Sequence, residues 1–80
     1  MSIGLLTEIF RDTFDDETII LRADLEAKDV KNWNSFTHIS LMISIETEFN
    51  VILQPIEVQK ASNVGDLIEL LKTKGCELNL

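Results

Sequence analysis

The segment that most constrains the fold is residues 35–49, SFTHISLMISIETEF, which contains neither glycine nor proline. Asn34 stands directly before it and is a favourable N-cap residue, so we expect a helix that begins at Ser35. At about 100° per residue, the apolar side chains cover a broad arc of that helix. So wide an apolar face predicts a central helix with more than one neighbour. The arc consists of Phe36, Ile39, Leu41, Met42, Ile43, Ile45 and Phe49.

The N-terminal part of the chain predicts one helix followed by a long connection. Apolar residues recur at steps of three and four over about residues 2–13, with Ser2 as the N-cap and Arg11 near the end, where a cation suits the helix dipole. Residues 15–34 are rich in Asp, Glu, Lys and Asn, and a single strand among them would have no partner. We therefore expect a loop whose apolar residues pack into the bundle. These residues are Ile19, Ile20, Leu21, Leu25, Val30 and Trp33.

Two more helices are expected after the central one. Pro55 suits the first turn of a short helix over about residues 55–60. Asn63 is a suitable N-cap for a last helix over about residues 64–74, and Gly75 is a common residue just after a helix end. Because 80 residues allow one small domain, we predict a single all-α domain. Its expected architecture is a four-helix bundle with three main helices, a short third helix and a long loop between helices 1 and 2.

The charge of the chain favours some partners and disfavours others. Fourteen Asp and Glu residues against seven Lys and Arg residues give a formal net charge of −7. Nucleic acids and anionic membrane surfaces are disfavoured, because binding to either needs clustered Lys and Arg. A basic protein surface is the natural complement of such a chain, although the charge also serves solubility alone.

The cysteine content and the N-terminal residues exclude several further classes. Cys76 is the single cysteine, so no disulfide can form within the chain, and a structural zinc site lacks ligands. The first residues, MSIGLLTEIFRD, are too polar for a signal peptide or a membrane span. We therefore expect a cytoplasmic protein without a metal site. The tail over residues 76–80, CELNL, is expected to fray, with Cys76 incidental.

Ser35 is the residue most suited to chemistry, and its position admits three interpretations. It can be an ordinary helix-start residue whose hydroxyl serves nearby backbone groups. It can be a hydrolase nucleophile, since His38 lies one turn further on, but no Gly-x-Ser-x-Gly sequence surrounds it. It can also be a modification site, because a phosphate esterified there meets free backbone N–H groups and the positive end of the helix dipole. The residues alone leave these interpretations open.

The segment WNSFTHISLMISIETEFNV, residues 33–51, resembles the core of the acyl carrier proteins. The signature of that family is Asp-Ser-Leu at the start of an apolar helix that ends in acidic residues and a phenylalanine. Here Asn34-Ser35-Phe36 stands at the signature, and IETEF, residues 45–49, matches the helix end. Residues 62–71, SNVGDLIELL, resemble the opening of the family's fourth helix.

The resemblance implies a four-helix bundle that carries 4′-phosphopantetheine covalently on Ser35. The thiol of this arm would hold acyl intermediates as thioesters, as in fatty acid biosynthesis and related lipid metabolism, so the chain would be a carrier and not an enzyme. The implied partners are a phosphopantetheinyl transferase and enzymes with basic surfaces that load and process the acyl group. The carrier itself is expected to be a monomer. Two alternatives stay open: an aminoacyl or peptidyl carrier with the same arm, and an unmodified helical interaction module.

The sequence departs from the family pattern beside the serine. Asn34 replaces the usual aspartate and Phe36 the usual leucine, while Trp33 and His38 are more typical of carriers from specialised pathways. Candidate contacts for partner proteins are Asn34, Phe36, Glu46, Glu48 and Glu57. The candidates to line an apolar acyl groove, each equally suited to an ordinary core, are Leu41, Ile45, Leu53, Val58, Ala61, Val64 and Leu67.

Overall fold

The computed structural model describes residues 3–78, and all regular structure within that range is helical. The elements are α1 (Ile3–Phe14), a 3-10 turn (Ala27–Asp29), α2 (Ser35–Phe49), α3 (Pro55–Lys60) and α4 (Val64–Thr73). The predicted four-helix architecture, with a short third helix and a long first loop, is therefore confirmed. Ser2, which we expected to cap α1, lies outside the described residues.

The hydrophobic core is built mainly from α1, α2, α4 and the loop between α1 and α2, and it also contains Leu53, Cys76 and Leu78. Phe10, Phe14 and Phe49 are the largest side chains that are fully buried. Burying an apolar side chain of this size contributes about 1.5–3 kcal/mol, so the three rings are a large part of the driving force for folding. The short helix α3 contains no fully buried residue and packs on the core through the half-buried Val58.

The loop between α1 and α2 follows the core closely. Arg11 Nε donates a hydrogen bond to the Ile19 carbonyl at 2.9 Å, which ties the loop to α1. The prediction that its apolar residues are buried is wrong for Ile20, whose side chain is 73% exposed. Ile20 alternates with the buried Ile19 and Leu21, so its side chain faces away from the core that its two neighbours enter. The buried loop residues are Ile19, Leu21, Leu25 and Val30.

Helix α2 buries only part of the broad apolar arc that the sequence places on it. Phe36, Ile39 and Ile43 are 79%, 61% and 57% exposed. Their spacing of three and four residues places them along one face, and we call these three residues the apolar strip. Residues 35–45 carry no charged side chain, so the strip lies on an uncharged stretch of helix. The buried residues of α2 are Leu41, Met42, Ile45 and Phe49.

The C-terminal segment is packed and not frayed over its described part. After α4, Gly75 takes a left-handed conformation with φ +94°, and Cys76 N donates to the Leu71 carbonyl at 3.0 Å. This turn directs the chain back over the bundle, so Cys76 and Leu78 are buried in the core. The expectation of a loose tail is therefore wrong for residues 76–78, and the Cys76 side chain contributes to packing.

Candidate functional site

The start of α2 is fixed by a reciprocal set of hydrogen bonds around Asn34. Its side-chain Oδ1 accepts from the backbone N–H groups of Phe36 and Thr37, both at 3.0 Å, which confirms Asn34 as the N-cap. In return, Thr37 Oγ1 accepts from Asn34 N at 2.9 Å and donates to the Asn32 carbonyl at 2.6 Å. Asn32 itself has φ +72° and turns the chain into the helix. The residues around Ser35 are thus held in one conformation.

Ser35 occupies the first helical position and is exposed to solvent. Within residues 3–78, neither its hydroxyl nor its backbone N–H has a hydrogen-bond partner. An unpaired N–H beside a free hydroxyl at the positive end of a 15-residue helix favours an anionic group attached to that oxygen. An open groove of about 480 Å³ adjoins the serine. Its lining residues are Ala27, Trp33, Asn34, Ser35, His38 and Ile39.

Trp33 and His38 form a joined pair beside the serine. The indole Nε1–H of Trp33 donates to His38 Nδ1 at 3.1 Å, and the two rings are nearly parallel, with centroids 6.1 Å apart. Burial lowers the pKa of His38 below its usual range, which favours the neutral imidazole that this hydrogen bond requires. The imidazole proton is therefore assigned to Nε2. Because Nδ1 is occupied by Trp33 and the Ser35 hydroxyl has no described partner, the structure offers no serine–histidine hydrogen bond of the kind that a hydrolase needs.

A cavity of about 80 Å³ lies next to the groove, between α2 and the segment that begins α4. Ala27, Trp33 and His38 line both spaces, so they lie between the serine and the cavity. The cavity lining is Ala27, Trp33, His38, Met42, Ala61, Ser62, Asn63 and Leu67.

Only part of the predicted acyl groove lines this cavity. Ala61 and Leu67 do so, while the other five candidates lie in or against the hydrophobic core. Those five are Leu41, Ile45, Leu53, Val58 and Val64. Sequence reasoning missed Met42, although its position four residues after His38 places both on one helix face. Trp33 and His38 were noticed in the sequence, but no pattern indicated that they pair.

Some of the candidate partner contacts already form hydrogen bonds or ion pairs within the protein, and others do not. Phe36 and Glu48 are exposed, and neither side chain makes a hydrogen bond or ion pair within the described range. Glu46 Oε2 accepts from Leu53 N at 3.0 Å, so its carboxylate holds the loop after α2. Glu57 Oε1 accepts from Lys74 Nζ at 2.9 Å and from Gln54 N at 3.0 Å, and these bonds, led by the lysine, lower the pKa of Glu57. These two glutamates have structural roles, whatever else they contact.

Other site types find no support in the described part of the chain. Across residues 3–78, no three His, Cys, Asp or Glu side chains come together in a way that could hold a metal ion. The helices of the same range are all too short or too polar to cross a membrane.

The comparisons with known proteins agree with the geometry of the fold. No protein-family model matches the chain, and no curated protein sequence matches it. Among solved structures, it is similar to the solution NMR structure of a holo acyl carrier protein from Geobacter metallireducens. The two share 39% identity with a TM-score of 0.84, over 90% of this chain and 83% of the other. At this identity and coverage, the chain belongs to the acyl carrier protein family.

Proposed function

We propose that this protein carries acyl groups as thioesters on a 4′-phosphopantetheine arm esterified to Ser35, and that it acts as a carrier for partner enzymes without catalysing a reaction itself. The observation that carries the proposal is the exposed Ser35 hydroxyl beside an unpaired N–H at the rigidly capped start of α2. A phosphodiester on this oxygen gains the N–H as a donor and the favourable end of the helix dipole. The similar structure from Geobacter metallireducens is described as a holo protein, which further supports a covalent arm here.

The apolar strip is the surface that we assign to partner enzymes. It begins at Phe36, the residue directly after Ser35, so an enzyme that receives the arm also meets the strip. Exposed aromatic and branched side chains on a rigid helix are favourable contacts at a protein interface. The exposed carboxylate of Glu48 lies further along α2 and suits a basic residue at the rim of such an interface. The partners are a phosphopantetheinyl transferase and enzymes that load and process the acyl group.

The proposal is tested by the intact mass of the protein after co-expression with a broad-specificity phosphopantetheinyl transferase. Wild type and Ser62→Ala should each gain the mass of one phosphopantetheine group, and Ser35→Ala should gain none. Ser62 is the matched control because it is an exposed serine beside another helix cap. Since the Ser35 side chain makes no hydrogen bond, Ser35→Ala should change the free energy of unfolding by less than about 0.5 kcal/mol. An unmodified wild type, or a modified Ser35→Ala, would contradict the proposal.

A further inference from the structure

The stretch of α2 that follows Ser35 offers no negative charge to a partner. The first charged residue after Ser35 on this helix is Glu46, about 17 Å further along the helix axis. Its carboxylate already accepts a hydrogen bond from Leu53 N at 3.0 Å. Before Ser35, the first charged residue along the chain is Lys31, which has the opposite sign. Since charges in solution act over about 8 Å at physiological ionic strength, the acidic residues of α2 attract little to Ser35.

The open groove beside Ser35 is also uncharged. Among the described residues that line it, none is an Asp, Glu, Lys or Arg. Glu26 and Asp29, the acidic residues nearest along the chain to the lining residue Ala27, each form an ion pair with a basic residue of the α1–α2 loop. Ile39 lines the groove and also belongs to the apolar strip, so the strip continues up to the serine.

The apolar strip is large for a monomer but small for a permanent interface. Phe36, Ile39 and Ile43 are 79%, 61% and 57% exposed, which for side chains of this size amounts to roughly 300–400 Å². Exposed apolar patches of about 300–600 Å² are often functional. A stable interface needs about 800 Å² from each partner. The strip therefore fits a transient contact, as a carrier that passes between enzymes requires.

A second copy of this chain is a poor occupant of the strip. Two copies that each carry a net charge of −7 repel one another, and the strip alone supplies too little area for a stable dimer. An enzyme that also holds the arm at Ser35 gains additional contact from the arm. Glu48, the exposed carboxylate of α2, lines a space with Glu8 and Asp12 of α1. A basic residue of the enzyme therefore reaches Glu48 only at the edge of a contact centred on the strip.

We infer that the partner enzymes of this carrier dock on the apolar strip through an uncharged, apolar surface, and that they do not recognise it through a basic surface. This inference rests on the proposed function, because the arm on Ser35 is what brings an enzyme to the strip. It replaces the basic surfaces that the family resemblance implies for the partners. Desolvation of the strip supplies the binding energy, so enzymes that select carriers by negative charge beside the serine discriminate against this one.

The test uses two purified phosphopantetheinyl transferases as probes, one that docks carriers through an apolar surface and one that docks them through a basic surface. The measurement is kcat/KM for transfer of the arm from coenzyme A, relative to the natural carrier of each enzyme at low salt. We expect the relative value to be at least about tenfold higher for the transferase with the apolar surface. Its kcat/KM should change less than about twofold between low and high salt, because little of the contact is ionic. A higher relative value for the basic transferase, with a steep fall as salt is added, would overturn the inference.

Two exposed isoleucines provide a matched pair of variants. Ile39 on the strip is 61% exposed and Ile20 on the α1–α2 loop is 73% exposed, so glutamate at either position should leave the fold intact. With the transferase that has the apolar surface, Ile39→Glu should lower kcat/KM about tenfold to a hundredfold, and Ile20→Glu should stay within about twofold of wild type. Equal losses in the two variants would show that net charge, and not the strip, controls docking, which overturns the inference.

Two further substitutions separate lost apolar area from added charge. Ile39→Ser removes the apolar side chain without adding charge and should lower kcat/KM about fivefold or more, whereas Ile39→Leu should stay close to wild type. Analytical ultracentrifugation should show a monomer. A dimer that Ile39→Glu dissociates and Ile20→Glu does not would show that a second copy covers the strip, and would overturn the inference.

The intact mass distinguishes the failure of this inference from the failure of the proposed function. If neither transferase adds the arm at high enzyme concentration, the carrier function is contradicted and this inference with it. If the arm is added to Ser35 but the basic transferase is preferred, only this inference is contradicted, and the protein remains a carrier.

Discussion

Helices α2 and α4 begin in similar ways, but they differ in whether the first backbone N–H of the helix has a hydrogen-bond partner. We call a start without such a partner open and a start with one closed. Each is capped by an asparagine with a serine beside it, in Asn34-Ser35 and in Ser62-Asn63. At α4 the first two N–H groups are taken by the α1–α2 loop, because Val64 N donates to the Leu25 carbonyl and Gly65 N to the Ala23 carbonyl, both at 2.9 Å. At α2 the corresponding first N–H, that of Ser35, has no partner among the described residues.

The contrast explains why one serine is suited to an arm and the other is not. Ser62 precedes its cap, and its N–H donates to Asp66 Oδ2 at 3.0 Å, so its backbone already faces a carboxylate. A phosphate attached there would be repelled by that negative charge. Ser35 follows its cap, and residues 35–45 contain no acidic side chain. The same residue types therefore yield a structural joint at α4 and, at α2, a free helix start where we propose that the arm is attached.

The largest loss of stability should come from Gly65→Ala, which disrupts the contact between the α1–α2 loop and the closed start of α4. A Cβ at residue 65 would lie 3.0 Å from the Ala23 carbonyl oxygen, which is backbone and cannot rotate away. We expect a loss of about 1–3 kcal/mol in the free energy of unfolding, more than the roughly 0.5–1 kcal/mol that alanine gains over glycine within a helix. Hydrogen exchange should show that the Val64 amide loses protection before the amides of the core.

Gly75→Ala is the matched control for this variant. Residue 75 has φ +94°, so alanine is strained there by about 1–2 kcal/mol, yet nothing lies within 4 Å of the added Cβ. Its loss of stability should lower protection evenly, without singling out Val64. If Gly65→Ala also lowers protection evenly, the loop and the start of α4 do not form a separable joint.

The second largest loss of stability should come from replacing the asparagine caps with alanine, and the loss should differ between the starts of α2 and α4. Asn34→Ala removes the acceptor of two N–H groups at a helix start that depends on it, and should cost about 1–2 kcal/mol. Asn63→Ala removes one such bond from a start that loop carbonyls also hold, and should cost only about 0.5–1 kcal/mol. Urea denaturation of both variants measures the difference. Equal losses would show that the loop contributes little to the start of α4.

The sequence predicted the features that depend on local signals. Asn34, Pro55 and Asn63 mark helix starts through short-range hydrogen bonding or a fixed φ angle, and helices begin there in the structure. Features that depend on tertiary contacts were missed or mistaken. The exposure of Ile20 and of the apolar strip depends on which sides have neighbours, and periodicity does not report this.

The candidate site shows the same division. Ser35 was proposed as the candidate site from a short motif, whereas the hydrogen bond between Trp33 and His38 joins side chains from a loop and a helix. Its formation depends on how Phe10 and Phe14 place the indole, which no local pattern encodes. Burial of Cys76 and Leu78 likewise follows from the direction that the chain takes after Gly75.

The smallest structural effect, and the one that sharpens the comparison most, should come from Asn34→Asp. The substitution keeps the Oδ1 acceptor for Phe36 N and Thr37 N and adds a negative charge at the positive end of α2. It should raise the free energy of unfolding by about 0.3–1 kcal/mol. The new charge lies beside Ser35 and should speed modification by a transferase with a basic surface, with the gain shrinking as salt screens the encounter.

The measurement is the initial rate of phosphopantetheine transfer to wild type and to Asn34→Asp at low and high ionic strength. Asn50→Asp is the control for net charge, since it adds the same charge about 24 Å away along the helix axis, at the other end of α2. Asn50 has φ +55°, a conformation that aspartate tolerates, so the control should fold. A rate gain at low salt for Asn34→Asp but not for Asn50→Asp would show that the transferase recognises negative charge at the start of α2. Equal rates for all three proteins would mean that charge at residue 34 does not set transferase recognition, and Phe36 would then be the first residue to replace.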